Sequence, residues 1–253
     1  MGRWNTVAAY LEGTRHRKTG TECQDYGEVL AVSEEMILGA LADGAGRVKY
    51  SSHGAALAVK TTLQMLAQAD WKPITSEEET RAVFLKVLDA VGRAFSSRAG
   101  RAGWLVNDMA CTLLAFVATP DWLAAMQVGD GAMVVRTAGG EYELLFTPDK
   151  GEYVNTTTFV TSANAGREMQ TRMIRRPPVF ICAASDGLEH VSIRYRDWTP
   201  HQPFFAPLEK YIASQPNKNQ ANIDFLDFLD SDRLNAKTDD DKTMILGALT
   251  KSE

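Results

Sequence analysis

The sequence predicts an α+β layered domain, in which strands and helices occur in separate blocks of the chain. Short apolar runs of strand length follow one another between residues 111 and 146, separated by turn residues such as Gly, Pro and Asp. Two long helical patterns precede this block and two shorter ones follow it. Because strands and helices do not alternate one by one, the pattern argues against repeated βαβ units. No segment has the composition of a linker, so we expect residues 1–253 to form a single domain.

The first part of the chain predicts a hairpin and two helices. Residues 30–42 contain two short apolar runs joined by a polar connection, which is typical of a hairpin. In residues 51–66, apolar side chains recur at intervals of three and four, which predicts a helix. Ser76 is suited to cap a second helix over 76–95, because residues 77–79 are all glutamate and favour the positive helix end.

The second part predicts an antiparallel meander followed by further strands and helices. The meander has strands at residues 111–119, 122–128, 133–137 and 142–146. Residues 150–155 are polar, and we expect a loop there. Later patterns predict a short strand near Phe159, a strand at 179–184, helices at 205–213 and 223–229, and a last strand at 244–249.

The composition excludes several classes of protein. With 27 basic and 32 acidic side chains the formal charge is −5, so we expect no nucleic-acid partner. No apolar run approaches the roughly 18 residues of a membrane span, and the N-terminus lacks a secretion signal, so we expect no membrane partner. The three cysteines lie far apart without metal-site spacing, which favours a reducing, cytoplasmic location. No surface pattern indicates an oligomer, and a monomer is the default expectation.

Acidic residues stand at the ends of the predicted strands. A carboxylate in that position projects to the rim of a sheet, and a following glycine allows a sharp turn that can present its carbonyl to a cation. Oxygen ligands of this kind suit Mg²⁺ or Mn²⁺. The aspartates concerned are Asp25, Asp43, Asp130, Asp186 and Asp240, with Asp241 beside the last.

Each of these positions alone has a second explanation. Asp-Gly after a strand is first of all a turn signal, and Asp130 between two glycines could belong to a simple hairpin. The occurrence of all these strand-end aspartates in one chain is harder to explain by chance than any single one. A cluster of carboxylates without cations would repel itself strongly, so convergence of these side chains implies metal.

In this order the motifs resemble those of the metal-dependent protein phosphatases of the protein phosphatase 2C family, especially its compact bacterial members. The resemblance covers nearly the whole chain. The matching segments are residues 20–25, 41–46, 51–58, 112–114, 128–131, 184–188 and 240–243.

The resemblance implies a four-layer α-β-β-α sandwich with central antiparallel β-sheets and metals in a cleft at one edge. It implies a metal-dependent serine/threonine protein phosphatase that hydrolyses phosphomonoesters by direct attack of a metal-bridging water. Its cofactors would be two Mn²⁺ or Mg²⁺ ions, with a third, weaker ion in bacterial relatives. Its partner would be a phosphorylated protein, either a Ser/Thr kinase or the target of one.

The resemblance also assigns roles to single residues. Asp43 corresponds to the carboxylate that bridges two metal ions, with the Gly44 carbonyl on one of them. Asp186 and Asp240 correspond to the other direct ligands of the first metal, so these three aspartates act in catalysis through metal-bound water. Two further positions correspond to outer sites, Asp25 near the second metal through water and Asp130 near the third.

The chain departs from the family pattern at three positions. Gly20 stands where many members carry an Arg that clamps the substrate phosphate. The candidate substitutes just upstream are Arg15, His16, Arg17 and Lys18, with His16 and Arg17 preferred, and a solvated basic loop is the alternative. Gln24 replaces a metal-contacting Glu, and Ala45 replaces a His that could protonate the leaving group. These departures leave open an alternative function, a catalytically weak phosphatase-like regulatory or binding module.

Two other interpretations carry less weight. Residues 153–159 could form a flap over the cleft or a plain surface loop. Residues 239–243 contain the D-x-D-x-T pattern of aspartate-nucleophile phosphatases, but polar residues precede it where that motif needs an apolar strand.

Overall fold

The described residues form twelve strands, ten of which lie in two antiparallel β-sheets. The computed structural model describes residues 2–71, 74, 76–147, 157–215 and 217–251. The strands are β1 Gly2–Leu11, β2 Tyr26–Ala31, β3 Ile37–Ala42, β4 Leu113–Ala118, β5 Leu123–Val128, β6 Ala132–Thr137, β7 Tyr142–Leu144, β8 Gln170–Ile174, β9 Pro178–Ala184, β10 Ile193–Arg194, β11 Thr199–Pro200 and β12 Lys242–Lys251.

In the described part of the chain, eight helices connect and cover these strands. Short 3-10 turns at Val106–Met109 and Asp186–Leu188 join them. The helices are α1 Thr14–Thr19, α2 Ser51–Gln68, α3 Glu77–Ala102, α4 Ala165–Glu168, α5 Glu189–Ser192, α6 Gln202–Ser214, α7 Lys218–Leu229 and α8 Asp232–Asn235. No helix among the described residues combines the length and the apolar character needed to cross a bilayer.

The two sheets have five strands each. Sheet A has the order β1-β12-β9-β6-β7, and sheet B has the order β2-β3-β4-β5-β8. Strands β10 and β11 form a separate small hairpin. Strand β12 therefore lies inside sheet A, between the N-terminal strand β1 and strand β9.

Alternation of side chains along the strands creates the interior layers. In β4, Leu114 and Phe116 pack in the core between the sheets, whereas Leu113 and Val117 pack in a second core under helices. This is the period of two expected for a strand buried on both faces. Phe116 is fully buried, and burial of a side chain of this size contributes roughly 1.5–3 kcal/mol.

A pair of helices covers the outer face of each sheet. Residues of α2 and α3 pack on sheet B, and residues of α6 and α7 pack on sheet A. Ser76 begins α3 with a capping box, in which its Oγ accepts from the Glu79 N–H and the Glu79 carboxylate accepts from the Ser76 N–H. The order helix, sheet, sheet, helix confirms the expected four-layer sandwich.

The predicted meander is wrong in its pairing. Strand β5 pairs with β4 and β8, while β6 pairs with β7 and β9 in the other sheet. Residues 129–131 therefore form a crossover between the sheets and do not close a hairpin. Gly129 has φ 105°, a conformation that side-chain-bearing residues rarely adopt. Turn residues mark where a strand ends, but they do not select the partner of the next strand.

Several strands and helices lack the hydrophobic pattern from which they could be predicted. Strand β1 mixes polar and apolar residues, and β8 is a half-buried edge strand. The expected strand near Phe159 is not found among the described residues; residues 157–159 are irregular, and α4 and β8 follow them. The hairpin of β2 and β3, the two helix pairs and the last strand are confirmed, with β12 beginning at Lys242.

Candidate metal centre and active site

An acidic cavity of about 170 Å³ lies at one edge of the two sheets. It brings together carboxylates that are far apart in the sequence. Its lining includes Asp43, Asp130, Asp186, Asp240 and Asp241, together with Arg15, His16, Gln24, Gly44, Ala45, Thr112, Thr157 and Phe159. The predicted convergence of strand-end aspartates is therefore present in the structure.

Strand register explains this convergence. Tyr26 pairs with Ala42 at the end of the β2–β3 ladder, so Asp25 and Asp43 leave the sheet at the same end. In sheet A, Met244 pairs with Ala184, and the Ser185 N–H continues the ladder by donating to the Thr243 carbonyl at 3.0 Å. Asp186 and the acidic residues before β12 are thereby held at that edge as well.

Asp43 is the centre of a hydrogen-bonded group of three carboxyls. Its side chain is hydrogen-bonded to those of Asp25 and Asp186. Its backbone is fixed by Thr112, whose Oγ1 accepts from the Asp43 N–H at 2.9 Å and whose N–H donates to the Asp43 carbonyl at 2.8 Å. Thr112 thus holds the loop after β3 against the start of β4.

Burial and mutual repulsion perturb all three carboxyls. Burial, with smaller contributions from neighbouring acidic groups such as Asp241, raises the pKa of Asp25 to about 7 despite a hydrogen bond from Ser185. Burial and the charges of Asp130 and Asp240 raise the pKa of Asp186 to about 6. For Asp43, burial and both neighbouring carboxylates raise the pKa well above its ordinary value. Carboxyls that resist ionisation together favour a proton or a cation between them.

The residues present fit a divalent cation in their donor chemistry. As they stand, no three His, Cys, Asp or Glu side chains in the described part of the chain form a group that could hold a metal. The Asp25 Oδ2 and Gln24 Oε1 atoms are nevertheless buried without a hydrogen-bond partner among the described residues. Buried oxygen atoms of this kind, beside further carboxylates, are the ligands that Mg²⁺ and Mn²⁺ prefer.

The two aspartates before β12 have different environments. Asp241 is 4% exposed and accepts from the backbone N–H groups of Gly13 at 2.7 Å and Gln24 at 2.6 Å. Its Oδ1 also lies 2.8 Å from His16 Nδ1. Asp241 therefore ties the segment around α1 to the site. Asp240 lines the cavity, where its Oδ1 pairs with Arg15.

A glycine makes this arrangement of loops sterically possible. A Cβ atom at Gly187 would overlap the Asp241 carbonyl oxygen. The turn that carries Asp186 is therefore packed directly against the backbone of the residues before β12.

The basic residues of α1 divide between two environments. Arg15 lines the cavity, and its Nη2 lies 2.8 Å from Asp240 Oδ1. His16 is buried on Asp241 at the cavity wall. Arg17 is paired with Asp230 at 2.6 Å and with Glu12 at 3.4 Å, outside the cavity lining. Of these three side chains, that of Arg15 is the most exposed to solvent.

The remaining predicted residues lie in or beside the cavity. Asp130 accepts from Thr157 Oγ1 at 2.8 Å on the crossover between the sheets. Gly44 forms an isolated bridge with Cys111 and donates its N–H to the Gln24 carbonyl at 3.1 Å. Ala45 is also part of the lining. The flap interpretation concerns residues 153–159. Residues 153–156 lie outside the described residues, whereas Thr157 and Phe159 line the cavity.

Three residues that shape this site belong to the sequence patterns but received no role of their own from the sequence: Arg15, a less preferred candidate for binding phosphate, Thr112, in one of the matching segments, and Asp241, beside Asp240. Arg15 had a signal, since it belongs to the basic run before Asp25, but nothing local separates it from Arg17. The sequence signal for Asp241 was weaker. A carboxylate directly before a buried strand needs hydrogen-bond donors from within the protein. The partners of both lie more than 200 residues away along the chain.

A double antiparallel sandwich with a cluster of hard oxygen donors at one edge is the arrangement of a metal-dependent phosphatase. The family described as protein phosphatase 2C matches residues 12–229. Serine/threonine-protein phosphatase 3 of Escherichia coli K12 is 32% identical over 252 residues, covering 96% of this chain and 97% of that protein.

Solved structures share the fold. A serine/threonine phosphatase of S. agalactiae has a TM-score of 0.67 at 17% identity, with 97% of this chain and 99% of that chain covered. The catalytic domain of the serine/threonine protein phosphatase PstP, in complex with two manganese ions, has a TM-score of 0.61 at 16% identity, with 99% and 100% covered.

The chain belongs to the protein phosphatase 2C family. It is a metal-dependent serine/threonine protein phosphatase, that is, a hydrolase of phosphoric monoesters that depends on a divalent cation.

Proposed function

We propose that the acidic cavity is the catalytic site, and that the chain acts there as one domain on phosphoserine and phosphothreonine in proteins. The observation that supports this is the meeting of Asp43, Asp186 and Asp240 from three separate strand ends in one cavity. These three carboxylates are the proposed direct ligands, with the Gly44 carbonyl. Asp25 lies beside them, and Asp130 is the proposed ligand of a third ion.

When bound, two divalent cations supply an acidified water and neutralise charge on the phosphoryl oxygens. The chain's own contribution is to orient the ligands. Thr112 fixes the backbone of Asp43, and Asp241 fixes the segment that carries Arg15. No carboxylate needs to act as a covalent nucleophile.

Arg15 is the proposed phosphate-binding residue. Its side chain is half exposed at the cavity rim, so its guanidinium can leave Asp240 for a phosphoryl group without disturbing the core. His16 is engaged with Asp241 and Arg17 with Asp230, so neither has the freedom of Arg15.

The Arg15→Ala variant is expected to raise the KM for a phosphopeptide about tenfold while changing kcat less, because a hydrogen bond to a charged group contributes roughly 1.5–3 kcal/mol. Steady-state kinetics at saturating Mn²⁺ measure this. Lys18→Ala removes an exposed positive charge from the same helix and is the matched control. An Arg15→Ala KM equal to that of wild type would contradict the assignment, and an Mn²⁺ titration would show whether freeing Asp240 changes cation affinity instead.

The proposed function is tested with purified protein on a phosphothreonine peptide and on p-nitrophenyl phosphate, with Mn²⁺, Mg²⁺ or EDTA. We expect turnover of both substrates with a divalent cation and none in EDTA. Full activity in EDTA would refute metal-dependent hydrolysis at this site.

The alternative, a weakly catalytic binding module, rests on Gly20, Gln24 and Ala45. Calorimetric titration with Mn²⁺ distinguishes the two, because a degenerate module would bind the cation weakly or bind it without hydrolysis.

We propose further that the substrate is a Ser/Thr kinase or a target of one, and that the chain acts as a cytoplasmic monomer. The three cysteines support a reducing compartment, since all are free and Cys111 and Cys182 are buried.

A further inference from the structure

A continuous depression leads away from the catalytic cavity over the surface of the α5–α8 region. Its first part is a cavity of about 400 Å³ that shares Asp186 and Asp240 with the catalytic cavity. Its second part is a cavity of about 630 Å³ that shares His190 and Lys237 with the first. A polypeptide whose phosphorylated side chain enters the catalytic cavity can therefore continue along this path.

The second cavity combines an apolar wall with a basic rim. We call it the basic groove and define it by Phe204, Leu208 and Phe228 on the wall and Arg194, Arg233 and Lys237 on the rim. Among the described residues that line it there is no carboxylate, although the whole chain carries a net charge of −5. The groove is thus a basic surface on a protein whose net charge is negative.

Two of the rim cations are available to a ligand. Arg194 is held by Thr199 and Asp197. Arg233 and Lys237 are exposed, and within the described part of the chain their side chains make no hydrogen bond or ion pair. An acidic segment would find unneutralised partners there.

The apolar wall of the groove is suited to hold an apolar side chain of a bound polypeptide. Phe204 and Phe228 are half-buried, with ring centroids 6.2 Å apart, and Phe204 also packs edge-on against Phe205 at 5.1 Å. An apolar pocket ringed by a few polar groups is the usual form of a site that receives a side chain.

The groove is connected to the proposed metal ligands by the chain itself. Helix α5, which carries His190, directly follows the turn of Asp186, and the segment after α8 carries both Lys237 and Asp240. A polypeptide bound in the groove therefore has a defined position relative to the proposed metal ligands.

We propose that the basic groove binds the substrate polypeptide beside its phosphorylated residue, with an apolar side chain against Phe204 and Phe228 and acidic side chains against Arg233 and Lys237. This inference rests on the proposed function and adds a substrate class to it: phosphoproteins whose phosphosite is flanked by an acidic and apolar segment.

The test uses the full chain with Mn²⁺ and two phosphothreonine peptides of equal length. One carries flanking Phe and Glu residues on both sides of the phosphothreonine, and the other carries Ser and Lys in their place. We expect the acidic peptide to have a KM about tenfold lower, with the difference shrinking at high salt. The double variant Arg233→Glu/Lys237→Glu is expected to remove this preference, with turnover of p-nitrophenyl phosphate unchanged.

The matched control is Lys86→Glu/Arg93→Glu on α3, which changes the net charge equally on exposed positions of the opposite outer layer. Equal KM values for the two peptides with wild-type protein, or an equal effect of both double variants, would overturn the groove proposal while p-nitrophenyl phosphate turnover leaves the proposed function intact. Absence of turnover on all substrates with Mn²⁺ would instead contradict the proposed function itself.

Discussion

Replacing Asp43 with asparagine is expected to lower kcat/KM for a phosphopeptide on the order of 1000-fold, since cation binding supplies several kcal/mol of transition-state stabilisation. Asp43 is hydrogen-bonded to both Asp25 and Asp186, so it would hold a cation together with either neighbour. The amide keeps the shape of the side chain and removes the negative charge. Kinetics at several Mn²⁺ concentrations measure the loss.

Folding serves as the control for this variant. Burial and the charges of Asp25 and Asp186 raise the pKa of Asp43, so without metal an uncharged amide at this position removes a carboxyl that is disfavoured in its ionised form, and the melting temperature in EDTA should stay the same or rise. Asp89→Asn, on the exposed face of α3, removes the same charge and should retain wild-type kinetics. Retention of more than about a tenth of the activity by Asp43→Asn would remove Asp43 from the centre of the mechanism.

The second large effect concerns stability against pH. In EDTA, the free energy of unfolding is expected to fall by a few kcal/mol as the pH rises from 5 to 8. The pKa of Asp25 is about 7 and that of Asp186 about 6 in the folded protein, against about 3.9 for an unfolded aspartate. Between these values the native state holds protons that the unfolded state has released, so raising the pH favours unfolding.

Carboxyls whose pKa is lowered in the folded protein affect the free energy of unfolding in another pH range. The pKa of Asp230 is lowered by its hydrogen bond with Arg17, so its contribution to stability is lost only as the pH falls below about 4. The lowered pKa of Asp230 therefore does not affect the fall between pH 5 and 8.

Urea unfolding at four pH values between 5 and 8 measures this dependence. Asp25→Asn should flatten the profile, whereas Asp89→Asn should leave its slope unchanged. Addition of Mn²⁺ at pH 8 should restore stability, because a cation that binds only the native state stabilises it by mass action. Stability in EDTA that increases steadily from pH 5 to 8 would contradict the description of these carboxyls as buried and mutually repelling.

The part of the site that depends on local chemistry could be predicted from the sequence. Asp43 and Asp186 each follow a buried strand and precede a glycine, and that pattern places a carboxylate at the rim of a sheet whatever the partner strands are. The helix cap at Ser76 was predictable for the same reason, since donor and acceptor are three residues apart.

The part that depends on distant partners could not be predicted. Strands β4, β5 and β6 are almost uniformly buried, so their composition does not distinguish a meander from strands divided between two sheets. Whether Arg15, His16 or Arg17 faces the cavity depends on Asp240, Asp241 and Asp230 at the other end of the chain. Short helical segments such as α1 carry no periodic pattern that fixes their rotation.

The position of β12 has a consequence for folding. Strand β1 has β12 as its ladder partner in sheet A, with Gly2 opposite Lys251. The partners in this ladder are far apart in the sequence, and contacts of such long range form slowly. Asp240 and Asp241 directly precede β12, so the proposed catalytic cavity is completed only when this strand joins the sheet.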